Sequence, residues 1–135
     1  MRQFSLDTTA YGFHDITAQV RTAVLDAGIT EGLCVVFCPH TTAAITINEN
    51  ADPDVRYDME KIFNHLVKEG EPYYDHTLEG LYDMPAHAKS TLAGVSITIP
   101  ISRGRLNLGT WQGIYLCEFR DHGGPRSIVA TIIGE

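Results

Sequence analysis

Histidines and carboxylates supply the residues whose types and spacing could do chemistry in this chain. There are six histidines among 135 residues. His87 lies four residues after Asp83, and on a helix residues four apart share a face. A carboxylate beside an imidazole is a common orienting pair for a metal ligand or a proton shuttle. The same pair on an exposed helix is worth only a few tenths of a kcal/mol as a local ion contact. His40 sits between two apolar runs, where it is either a ligand at the mouth of a sheet or a turn histidine bonding the main chain. His76 falls in a polar, acidic stretch with Tyr73, Tyr74 and Asp75, where the alternative is a solvated loop side chain. His14, His65 and His122 read as surface residues.

The charged candidates follow the same double reading. Asp54 and Asp58 are four apart on an expected helix and repel unless a cation relieves them; a solvated helix face is the alternative. Asn48 and Glu49 follow an apolar strand, either just past the sheet edge or aimed into a cleft. Glu118 alternates with Ile114 and Leu116, so it shares their strand face; there a buried carboxylate is costly unless paired or coordinated, and the alternative is a frayed strand end where it is simply wet. Pro85-Ala86-His87-Ala88-Lys89-Ser90 joins a helix start to a lysine, a combination suited to phosphate. In a regular helix, however, His87 and Lys89 do not face the same way. No H-E-x-x-H, EF-hand loop, Walker A or G-x-G-x-x-G occurs, so any metal site must be assembled from distant segments.

Those side chains need elements to hold them. Gln3 to Thr9 alternates as a strand. Ile16, Val20, Val24 and Ala27 recur at helical spacing, with Gly28 placed as a stop. Leu33 to Cys38 is a continuous apolar run, Ala43 to Ile47 a second strand, and their closeness predicts a hairpin. Asp52-Pro53 opens a helix whose stripe is Val55, Met59, Ile62, Phe63 and Leu66, closed by Gly70. Glu71 to Tyr82 reads as a long loop, and Asp83 as the cap of a short helix through Leu92. Val95 to Ile101, Leu106 to Phe119 and Ser127 to Ile133 complete the strands. The order predicts one α+β domain over residues 1–135, with mostly antiparallel, sandwich-like sheets and two to three helices.

Composition sets the boundaries. A hydrophobic fraction of 44% and a charged fraction of 20% suit a globular chain. The net charge of −7 is concentrated in residues 49–83, net −7 by themselves, whereas residues 84–135 are net +2. An acidic middle argues against a nucleic-acid binder and suits a cation site. No apolar run approaches the roughly 20 residues of a membrane span, and no signal peptide is evident, so a cytoplasmic protein without membrane attachment is expected. Cys34, Cys38 and Cys117 lie in apolar runs and read as buried thiols.

Three stretches carry a specific likeness: His40-Thr41-Thr42-Ala43-Ala44-Ile45-Thr46-Ile47-Asn48-Glu49-Asn50-Ala51-Asp52-Pro53, Asp83-Met84-Pro85-Ala86-His87-Ala88-Lys89-Ser90-Thr91-Leu92, and Gly104 through Glu118 with its Gly109-Thr110-Trp111-Gln112 block. Together they resemble the YjbQ family, also described as secondary thiamine-phosphate synthase, over nearly the whole chain. The resemblance implies a homotrimer with its site near the subunit contacts, and a divalent metal ion, zinc among the candidates, held by His40, His76 and His87. It implies catalytic roles for Glu49, Asp54, Asp58, Lys89 and Glu118, and substrate binding by Asn48, Lys89 and Arg105. The chain departs from the family's pattern at Arg120-Asp121-His122-Gly123-Gly124-Pro125-Arg126, a turn two residues longer than in many relatives.

The activity so implied joins a pyrimidine diphosphate to a thiazole phosphate and releases pyrophosphate, "secondary" marking it as a side activity. A cation or basic groups must then stabilise the leaving group. Two alternatives stand beside it. One is a metal-dependent hydrolase or lyase of a phosphorylated metabolite, its histidines activating water. The other is a non-catalytic trimer that binds a small anion.

Overall fold

The computed structural model describes residues 1–8 and 10–135. Thr9, the expected end of the first strand, lies outside the described residues. Among these, eight strands and three helices follow one another along the chain. Strands β1 (Arg2–Thr8), β8 (Gly124–Gly134), β3 (Gly32–Phe37), β5 (Ser96–Ser102) and β6 (Arg105–Leu106) form one sheet in that spatial order. Strands β2 (Gly12–Asp15), β7 (Gln112–Glu118) and β4 (Ala43–Glu49) form a second. Every pairing is antiparallel. The fold is α+β.

Side-chain alternation explains the layers. Val36 of β3, Ile99 and Ile101 of β5 and Ile128 of β8 meet Ile45 of β4 and Ile114 and Leu116 of β7, filling the space between the sheets. Helix α1 (Thr17–Ala27) adds Val20 and Val24 to that core. The intervening residues of the smaller sheet, Ala44, Tyr115 and Cys117, point the other way into a second cluster with Phe13 and Phe119. Met59 and Phe63 of helix α2 (Pro53–Leu66) and Ala86 of helix α3 (Asp83–Ala93) cover it. The three cysteines are free and buried.

The helix signals hold where local chemistry dictates them. Asp52 accepts the Asp54 N–H at 2.9 Å, with Pro53 opening α2. Gly28, at φ 68°, takes the left-handed conformation that ends α1. Other expectations are corrected. Strands β3 and β4 form no hairpin: β3 pairs with β5 and β8, and β4 with β7. Pro39–Thr42 instead carries the chain from one sheet to the other, so each strand buries its own apolar face. The expected strand Leu106 to Phe119 divides into β6 and β7, which also belong to different sheets. Strand β2, missed in the sequence, pairs with β7. Helix α2 stops at Leu66, four residues before Gly70, and Ile62 and Leu66 of its apolar stripe are exposed.

Candidate functional site

Helix α3 opens with a carboxylate turned inward. Asp83 occupies the first helical position; Tyr82, not Asp83, is the residue before the helix, and no side chain caps it. The Asp83 carboxylate, buried except for 8% of its side chain, is engaged instead with two imidazoles. Its Oδ2 lies 2.7 Å from Nε2 of His76 and 3.1 Å from Nε2 of His87. His87 arrives there by helical spacing, one turn along α3. His76 arrives from the loop between α2 and α3, and the two rings meet edge to face at 5.2 Å. Arg120, just after β7, places Nε 3.4 Å from Oδ1. Burial pushes the Asp83 carboxyl upward, but the contacts with His76, His87 and Arg120 outweigh it and hold the group below its ordinary range.

One ligand atom from each of His76, Asp83 and His87 falls within 4.8 Å of the others. Two imidazoles and a carboxylate form a chemically sensible donor set for a divalent ion. The separations of 2.7 and 3.1 Å are those of hydrogen bonds, so an ion would take the place of the hydrogens between these atoms. These residues fit a metal.

His40 stands apart from that group. The expectation that three imidazoles converge is corrected in this chain: Nε2 of His40 accepts the Ser127 N–H of β8 at 2.9 Å. That nitrogen is therefore the unprotonated one, and Nδ1 carries the hydrogen. Burial, then the Arg126 guanidinium, lower the His40 pKa and favour this neutral form. His40 and His87 nonetheless line the same open cleft of about 590 Å³, together with Thr41, Ser90 and Thr91.

The remaining candidates divide among other places. Lys89 is buried on α3 and faces away from His87, as the two-residue spacing requires; its Nζ donates to Oδ1 of Asn64 at 2.6 Å. Burial lowers its pKa, while Glu69 and Asp121 oppose the shift. Glu118 does share the face of Ile114 and Leu116, and there it is fully buried between the sheets. It accepts from Arg126 Nε at 2.7 Å and Nη2 at 2.5 Å, from the Arg120 N–H at 3.1 Å, and from the Thr8 hydroxyl. Burial raises its pKa, and these donors more than reverse that. With no exposure and a full set of partners, Glu118 anchors the two sheets instead of facing a substrate.

Asn48 and Glu49 end β4, where Asn48 Oδ1 accepts the Glu49 N–H at 2.7 Å and Glu49 Oε2 the Asp52 N–H at 3.2 Å. Asp54 and Asp58 are on the exposed face of α2, Asp58 only 3.8 Å from Lys61. Arg105 lines a separate hollow with Arg21 and Leu25. None of these five belongs to the His76–Asp83–His87 group. The sequence does not mark Asp83 as the shared centre or Arg120 as its third partner. The four-residue spacing pointed to half of that arrangement; nothing in the linear order pointed to Arg120.

Comparisons with known proteins agree with one another. A family profile described as UPF0047 protein YjbQ-like matches residues 2–135. The chain is 47% identical over 135 residues to the UPF0047 protein YjbQ of Salmonella typhimurium, covering 99% of this chain and 97% of that one. It is 50% identical over 113 residues to the UPF0047 protein YugU of Bacillus subtilis, covering 84% and 81%. A crystal structure of an uncharacterized YjbQ/UPF0047 protein from Clostridium acetobutylicum superposes with a TM-score of 0.91 at 46% identity, covering 98% and 100%. A protein of unknown function from Sulfolobus solfataricus superposes at 0.90 with 30% identity, covering 99% and 96%.

Proposed function

This chain belongs to the YjbQ-like UPF0047 family, and from that premise we propose that it is a small metal-dependent enzyme acting on phosphorylated small molecules at His76, Asp83 and His87. The reaction we assign is attack of the thiazole-phosphate nitrogen on the carbon that bears the diphosphate of a pyrimidine diphosphate, forming the C–N bond as the C–O bond breaks and pyrophosphate leaves, as a side activity of the fold. One observation carries the reading: two imidazole nitrogens meet one oxygen of a buried carboxylate beside an open cleft.

His76, Asp83 and His87 would hold the ion. When bound, a divalent ion neutralises charge on a departing pyrophosphate. The chain's own residues do the rest. Arg120 engages Oδ1 of Asp83 and leaves Oδ2 directed at the two imidazoles. Being partly exposed, it also supplies a positive charge for a phosphate at the same margin. The Thr41 side chain and Nδ1–H of His40 offer hydrogen bonds across the cleft from His87. Lys89 takes no part here, because it faces the other side of α3. The assembly we propose is a homotrimer in the cytoplasm. Exposed Tyr73, Leu78, Leu81 and Trp111 give it apolar surface to cover, and no helix among the described residues is long and apolar enough to cross a membrane.

The test is direct. Metal-replete protein incubated with the two precursors should form thiamine phosphate and pyrophosphate, and His76→Ala or His87→Ala should abolish both. No product at any protein concentration would sink the transfer reaction. Hydrolysis is the second reading, favoured because three ligands leave positions free for water. Metal-dependent phosphate release from a panel of phosphoesters, without transfer, would establish it instead.

A further inference from the structure

On the side of α3 away from His87 lies a cavity of about 300 Å³ that the proposed metal centre does not use. Its size is at the low end of the roughly 300–1,000 Å³ typical of ligand pockets, which limits an occupant to a small molecule. Buried Pro85, Lys89 and Phe119 form its inner wall, and Tyr82 is half exposed beside them.

Lys89 is the feature that requires explanation. The residue is only 4% exposed, yet none of the ion pairs among the described residues involves it. Its Nζ donates to the neutral Oδ1 of Asn64 and stands 4.6 Å from the centroid of the Tyr11 ring. An ammonium has three hydrogens to donate, and a buried cation is costly without a counter-charge. Glu69 and Asp121 act on it only from beyond ion-pair contact, and an anionic group in the cavity would supply a direct counter-charge. A purely anionic ligand, however, would meet two carboxylates: Glu69 and Asp121 line the same cavity from its exposed margin. Lys68, also at the margin, balances the lining at two charges of each sign. The pattern is a buried positive end, a rim of two carboxylates and one ammonium, and an apolar wall.

We propose that this cavity is a second ligand site, for a small zwitterion of the α-amino-acid class. Its carboxylate meets Nζ of Lys89, its ammonium meets Glu69 and Asp121, and its apolar side chain lies against Tyr82 and Pro85. The site is independent of the metal centre, with α3 as the shared wall.

Titration calorimetry and saturation-transfer NMR on the full chain test this with three probes. L-Phenylalanine carries both charges, 3-phenylpropionate only the carboxylate, and phenethylamine only the ammonium. Phenylalanine should bind, and each half-probe should bind at least ~tenfold more weakly. Lys89→Met should weaken phenylalanine at least ~tenfold, while His87→Ala leaves it unchanged. Should Lys89→Met fail to fold, the double variant Glu69→Gln/Asp121→Asn at the exposed rim decides. It should weaken phenylalanine and phenethylamine and spare 3-phenylpropionate. Absence of phenylalanine binding, equal binding of 3-phenylpropionate, displacement of phenylalanine by a tighter inorganic phosphate, or indifference to the rim substitutions would each overturn the assignment.

Discussion

His40 and Ser127 are joined by a hydrogen bond of 2.9 Å in which the imidazole Nε2 is the acceptor and the main-chain N–H of Ser127 the donor. The bond ties the crossover between β3 and β4 to β8. It also decides which chemistry His40 can perform, because a nitrogen that accepts from an amide has no lone pair left for a metal.

His40 should therefore keep its neutral Nδ1–H tautomer to a lower pH than a free imidazole does. Nitrogen-15 spectra of the histidine rings report this directly. With a lowered folded-state pKa, the unfolded chain takes up the proton first. The contribution of His40 to stability is thus present above pH ~6.5 and declines as the pH falls. A His40 ring that takes up its second proton no later than a free imidazole as the pH falls would contradict the arrangement.

Metal addition should stabilise the folded protein through His76, Asp83 and His87. An ion at a hundred times its dissociation constant stabilises a folded state by about 2.7 kcal/mol, visible as a rise in Tm. Asp83→Asn, His76→Ala and His87→Ala should remove that rise, and His40→Ala should retain it. A rise of equal size in all four variants would place the ion elsewhere.

Glu118→Gln should destabilise the fold by about 3–5 kcal/mol, because it leaves Arg126 as an unpaired cation between the sheets. Denaturant unfolding measures the loss. Replacing both residues by apolar ones of similar volume should restore much of it. The acid dependence has a definite sign: the folded pKa of Glu118 is lowered, so its contribution is complete above the ordinary carboxylate range near pH ~4.5. It is lost as the pH falls further, towards the folded value.

The turn after β7 has a structural partner in the same carboxylate. A Cβ built on Gly123 would overlap Oε1 of Glu118, so the main chain can pass there only without a side chain. Gly123→Ala should cost about 1–3 kcal/mol in unfolding measurements. Combined with Glu118→Ala, which vacates the space, the penalty should shrink. Strict additivity of the two substitutions would mean that they do not touch.

Local chemistry was legible wherever neighbours in the chain are neighbours in space. Asp52 and Pro53 announced α2, Gly28 announced the end of α1, and the alternation of Ile114, Leu116 and Glu118 placed the carboxylate on the inter-sheet face. The family could be read from linear motifs because these survive as contiguous words. The pairing of β3 and β4 was misread for the opposite reason. Two apolar runs joined by a short connection look alike whether they close a hairpin or cross between sheets, and only the partners contributed by β5, β7 and β8 separate the two cases.

The candidate site shows the same division more sharply. By itself, the order of residues determined that Asp83 and His87 share a helix face and that His87 and Lys89 do not, because the 3.6-residue period leaves no alternative. That His76 closes on the same oxygen from a loop, that Arg120 completes the carboxylate, and that His40 is held by Ser127 were decided only when distant segments packed together. Hydrogen bonds between residues dozens of positions apart depend on sub-ångström placement of whole sheets and helices, which no spacing along the chain encodes.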